Sequence, residues 1–169
     1  MAHLAKDEEI ESAMAHAIGR IVTAFAAIEL YCSAVIERGL ENSILRAYRR
    51  AGLSLRQSAV IAEAILEGSR HEAGNRGHIR RVFRRIERMA AHRNLVAHSP
   101  PMRTHDDESM STYTWLVNDR RKNRSVDLAE LQRMADELEG LREETADVVM
   151  LYVLLADAKP SPEEEVKKV

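Results

Sequence analysis

Arg93-Asn94-Leu95-Val96-Ala97-His98 sets a permanent cation, an amide and a titratable imidazole together where a helix must stop, because Ser99-Pro100-Pro101 follows. The residue before a proline is driven out of helical geometry, so these are last-turn residues. Exposed carbonyls at a helix C-terminus favour a protonated imidazole, and such a group beside a guanidinium suits phosphate chemistry. His98 stands about 140° around an ideal helix from Arg93, with Asn94 about 40° from His98 and one turn back. Asn94 and His98 therefore share a face that the long Arg93 side chain could reach around.

The stripe that carries the arginine is apolar. Arg93 continues the line of Ile86 and Ala90 toward Ala97, so it is expected to point inward and to be largely buried, while Arg80, Arg81, Arg84, Arg85 and Arg88 point outward. A buried guanidinium left unpaired costs several kcal/mol, so a partner is needed. Glu29, beside Phe25, Ile28 and Cys32 on the edge of an earlier apolar stripe, is the best candidate. A purely structural role fits the same residues: Arg93 and Glu29 would pin two helices together, and His98 would cap C-terminal carbonyls.

An Arg followed after four intervening residues by a His, with Asn directly after the Arg, at the end of a bundle helix, resembles the signature of HEPN domains. Many of these are metal-independent ribonucleases. The resemblance implies that two subunits face each other across a two-fold axis, so that paired Arg93 and His98 sets line one cleft, with Asn94 supporting them and Glu29 in the first helix. Cleavage by attack of the RNA 2′-OH on the adjacent phosphate needs a base, an acid and cations on the phosphoryl oxygens, which two histidines and two arginines could supply. It further implies a toxin or defence role, with a nucleotidyltransferase-type antitoxin as a possible partner. The other class of function that the sequence leaves open is a non-catalytic bundle that dimerises or binds a partner protein.

The net charge of −2 conceals a segregation. Arg46 to Arg103 holds thirteen arginines against four acids, and Asp127 to Asp157 holds nine acids against two arginines. Either neighbouring helices complement one another, or the outward arginines Arg80, Arg81, Arg84, Arg85 and Arg88 face RNA; Arg rather than Lys presents a planar fork to phosphate. The single cysteine, Cys32, cannot close an internal disulfide, and no basic segment with an apolar run opens the chain, so the cytoplasm is expected. The longest unbroken apolar run, Val148 to Ala156, falls far short of the ~20 residues that span a bilayer, so no membrane anchor is expected.

Periodicity predicts an all-α, up-down helical bundle of three long helices and a shorter one, with a small β-hairpin inserted before the last helix. Ile18, Ile21, Val22, Phe25, Ile28, Cys32, Val35 and Ile36 mark a first helix from about Glu9 to Leu40. A short helical piece follows to Arg50, with a break at Gly52. Ser54 and Gln57 read as a capping box opening a second helix, and Ile79 through Ala97 as a third. Thr104 to Ser109 reads as a loop, Thr112 to Val117 as a strand, Asn118-Asp119 as a turn and the stretch to Val126 as a second strand. Asp127-Leu128-Ala129-Glu130 opens the last helix. Residues 1–158 are expected to form one domain and 159–169, with two prolines and a run of glutamates, a disordered tail.

Metal and cofactor chemistry is not expected. The chain has no Glu followed three residues later by His, as a di-iron bundle would carry, and the histidine pairs 71/78 and 92/98 fit no common zinc spacing. His105-Asp106-Asp107-Glu108 reads as a solvated loop.

Overall fold

The computed structural model describes residues 2–39, 52–69, 75–98, 101–105, 111–119 and 122–157. Its core is built from four helices: α1 Ala2–Gly39, α2 Leu55–Gly68, α3 Arg76–His98 and α4 Leu128–Asp157. Three are long and α2 is short, as periodicity predicts. The helical piece expected to end at Arg50 and the tail from Lys159 lie outside the described residues.

Each helix exists because its apolar residues recur on one face and its ends carry local stop signals. On α1 the buried line runs Met14, Ala17, Ile21, Ala24, Phe25, Ile28, Cys32, Val35 and Ile36. Val22 was expected on that line and is instead 52% exposed. It sits about 100° from Ile21, off the seam that Ala17, Ile21, Ile28 and Val35 define. The helix also starts at Ala2 rather than near Glu9.

The capping box that opens α2 forms as the sequence predicts. The Gln57 N–H donates to Ser54 Oγ at 3.3 Å, and the Ser54 N–H donates to Gln57 Oε1 at 2.9 Å. Just ahead of it Gly52 adopts φ +82°, a left-handed conformation that favours glycine and turns the chain into the helix. At α4 the Glu130 N–H donates to Asp127 Oδ1 at 2.7 Å, which caps the start of that helix.

One apolar cluster joins all four helices. Ile79, Val82, Phe83 and Ile86 of α3 meet Leu55, Ala59, Ala62 and Leu66 of α2, with Ile21, Ile28 and Val35 of α1 and Leu131, Leu138 and Leu141 of α4 completing it. The most extensive packing is α1 along α4. Its flank is held by Arg20, which donates to Glu139 through Nε at 2.9 Å and Nη2 at 2.6 Å, and to Asp136 at 2.7 Å. Where α1 meets α2, Gly39 lies directly on Ile65, and a Cβ there would collide with that side chain.

Between α3 and α4 the backbone pairs as an antiparallel sheet of three strands in the order β1 Pro101–His105, β2 Ser111–Asp119, β3 Lys122–Val126. This differs from the expected two-stranded hairpin. Thr104 and His105, read as loop, pair with Thr112 and Ser111, and Asn118 and Asp119, read as a turn, pair with Asn123 and Lys122. Polar composition and an opening proline hide β1 from any alternation rule.

No unbroken apolar run marks α1, because Arg20 and Glu29 interrupt its apolar residues. Its span Glu8–Gly39 is long and apolar enough to cross a membrane by length and composition, with a mean hydropathy of 1.5 over the best 18-residue window. The core helix of a bundle passes the same test; α1 carries the fully buried Ile21, Ile28 and Val35, with 33% of that window buried.

Candidate functional site

The motif occupies the last turns of α3, which ends at His98 as the following prolines require. Val96 of the motif is buried and Leu95 packs half-buried on the core, so the motif is anchored through its apolar members. The side chains of Asn94 and His98 lie outside the described residues, and Arg93 is the motif residue with chemistry whose side chain is placed.

Arg93 Nη2 meets Glu29 Oε1 at 3.1 Å, joining α3 to α1. The partner is the one that helical arithmetic selects, but the burial expected of Arg93 is not found. The two side chains are 45% and 37% exposed. The reason lies in the neighbours: position 93 follows the buried line of α3, yet at this level it faces the start of α2. There Ala90 and Ala91 are too small to fill the space against Ser54, Leu55 and Arg56, and an open cleft of about 330 Å³ remains with Arg93 on its lining. The guanidinium is therefore held by a carboxylate on one side and reaches solvent on the other.

Sequence reasoning sent five arginines of α3 outward, and the structure divides them. Arg80 makes a forked pair with Glu67 of α2, both contacts at 3.0 Å. Arg85 is half-buried and pairs with Glu144 of α4 at 2.5 Å, so it is a correction to the outward set. Its position beside Ile86 turns it toward the acidic helix. Arg81, Arg84 and Arg88 are exposed and form no ion pair among the described residues; Arg81 only approaches His78 Nδ1 at 3.5 Å. At spacings of three and four these three share one face of α3 and rise about 10 Å along it. Complementarity between helices thus takes Arg80 and Arg85, and a ridge of three cations is left over.

The electrostatics around the ridge are uneven. Burial, and then repulsion from Glu67 and Glu87, raises the Glu63 carboxyl above its ordinary pKa, with Arg80 and Arg84 opposing. Between α1 and α4 the hydrogen bond from Arg20 holds Glu139 below the usual carboxylate range. Cys32 is buried, and that burial, reinforced by Glu29, pushes its thiol up to about 12, which leaves it protonated and unreactive at neutral pH. His92, one residue before Arg93, has a buried Nδ1 with no hydrogen-bond partner among the described residues. Among those residues no group of three His, Cys, Asp or Glu side chains is placed to hold a metal ion.

Compared with known proteins, the chain matches no family model, no curated protein and no solved structure. Sequence reasoning singled out Arg93, Glu29 and the ridge, and missed two residues that line the Arg93 cleft, Arg56 and Glu87. Helical phase marks both as off the apolar stripe, but only the crossing of α2 on α3 shows that they share a space.

Proposed function

We propose that the chain is a HEPN-like, metal-independent endoribonuclease that acts as a homodimer in the cytoplasm, cleaving RNA at a composite site of Arg93, Asn94 and His98. The observation that carries the reading is the state of Arg93: oriented by Glu29, open to a cleft, and on the same helix as Arg81, Arg84 and Arg88, which form no ion pair among the described residues. In the proposed reaction one imidazole takes the proton of a 2′-OH as its oxygen bonds to the adjacent phosphorus. The bond to the 5′-oxygen breaks, and that oxygen takes a proton from the second, protonated imidazole. The products are a 2′,3′-cyclic phosphate and a 5′-hydroxyl. Arg93 from each subunit stabilises the extra charge on the phosphoryl oxygens. The ridge contacts neighbouring phosphates, and the β insertion follows the motif directly in the chain. A toxin or defence role, with a nucleotidyltransferase-type antitoxin as partner, belongs to the same proposal.

The test is incubation of the purified protein with mixed RNA in EDTA. Degradation there supports the reading, and intact RNA at protein concentrations where the dimer is seen by light scattering opposes it.

A second reading is favoured by a different observation. Leu30 and Val22 of α1 are 66% and 52% exposed, and Met150 and Leu151 of α4 are exposed too. Large apolar side chains left in water mark interaction surfaces when they cluster. A partner-binding bundle without catalysis would use these faces and would be indifferent to His98. Leu30→Ser and Val22→Ser should disrupt assembly under this reading while leaving RNA untouched.

A further inference from the structure

The cleft beside Arg93 carries two charges that the motif does not use, Arg56 from the first turn of α2 and Glu87 from α3. Both line the same space of about 330 Å³, yet they form no ion pair with each other or with any other described residue. The small Ala90 and Ala91 share the lining with Ser54 and Leu55 and leave the space open, and Arg93, also on the lining, is already paired with Glu29. A cation and an anion kept apart across an open cleft are arranged for a ligand that satisfies both. A bare phosphate would gain from Arg56 and lose to Glu87, whose ionised carboxylate only accepts hydrogen bonds. A ligand with a hydroxyl donor close to its phosphate gains from both. Ribose supplies that combination, because its 2′-OH stands next to the carbon that bears the 3′-phosphate. Deoxyribose lacks the donor.

We propose that this cleft is a ribonucleotide subsite, in which Arg56 holds a backbone phosphate and Glu87 accepts the hydrogen of the adjacent 2′-OH, next to the phosphate that Arg93 contacts. The proposal rests on the ribonuclease reading and adds to it a device for choosing RNA over DNA. It also gives the outward arginines a direction: the ridge of Arg81, Arg84 and Arg88 feeds a strand toward a pocket that checks the sugar.

The experiment measures binding of a fluorescein-labelled oligoriboadenylate and its deoxy counterpart by anisotropy. It uses full-length protein carrying His98→Ala so that the probe is not consumed. The parent should bind the ribo-oligomer more tightly than the deoxy-oligomer. Arg56→Ala should weaken both by about tenfold, the scale of one charge-assisted phosphate contact. Glu87→Ala should bring the two affinities together. Arg56 is exposed and Glu87 lies off the apolar stripe, so both variants should melt as the parent does. Binding of RNA by the parent with both variants unchanged overturns the subsite and leaves the ribonuclease reading standing. Equal tightening for both oligomers in Glu87→Ala also overturns it, since the carboxylate would then only repel. A parent that binds neither oligomer overturns the subsite together with the reading beneath it.

Discussion

Glu29 and Arg93 face each other at 3.1 Å across the seam between α1 and α3, and neither is buried. The contact fixes the direction of the guanidinium without removing it from water. A desolvated pair would be costly to break, whereas an exposed pair contributes little to stability.

Removing that pair should therefore cost the fold little. Arg93→Ala and Glu29→Gln are each expected to lower stability by no more than about 1 kcal/mol, a shift in melting temperature of about 2–4 °C for a chain of this size. Urea titration and thermal melting check this. Loss of several kcal/mol would show that the pair is buried in solution. With the fold intact, loss of RNA cleavage in Arg93→Ala can be read as chemistry.

How much of this was legible in the sequence depends on the range of the signal. The capping residues Ser54 and Asp127 and the stop after His98 act over three or four residues, and each appears where the sequence puts it. The Arg93–Glu29 partnership was also legible, because helical phase confines a stripe cation to few carboxylates. Its exposure was not. That depends on how much space Ala90, Ala91 and the start of α2 leave, a property of the packed pair of helices rather than of either one. The same cause hid the capture of Arg85 by Glu144, 59 residues along the chain. Val22 was misplaced because an apolar residue one step off the seam looks the same as one on it.

The ridge should show itself in salt dependence. Arg84→Ala and Arg88→Ala are each expected to reduce the slope of log affinity for single-stranded RNA against log salt by about 0.7, the release of one phosphate's counterions. Arg80→Ala and Arg85→Ala should leave the slope nearly unchanged, because Glu67 and Glu144 already occupy those side chains. Equal slopes for all four variants would mean that the ion pairs do not decide which arginines are free for RNA.

Acid should loosen the α1–α4 seam through Glu139. Its pKa in the fold is lowered, chiefly by the hydrogen bond from Arg20, so the stabilisation it gives is full above the ordinary glutamate range. It is lost as pH falls through the folded value. The difference in melting temperature between wild type and Glu139→Gln should accordingly be present at pH 7 and shrink toward zero at strongly acid pH. A difference that does not change with pH would assign the effect to packing.

His92 keeps a buried ring nitrogen without a partner among the described residues, a cost to the fold of about 1–3 kcal/mol. His92→Leu should hold or raise the urea midpoint. A clear fall in stability would show that the nitrogen is bonded in solution and that the ring has a structural role.

The central claim is that the Arg93 and His98 motif cleaves RNA by 2′-OH attack, and the most direct measurement is the chemistry of the cut ends. RNA treated with wild-type protein in EDTA, and in parallel with His98→Ala, is analysed by mass spectrometry for 3′-terminal groups. The account predicts 2′,3′-cyclic phosphates with the wild type and no cleavage with His98→Ala, whose melting curve and dimer stay unchanged. Cleavage by His98→Ala at the wild-type rate, or wild-type products that end in 3′-hydroxyls, would contradict it.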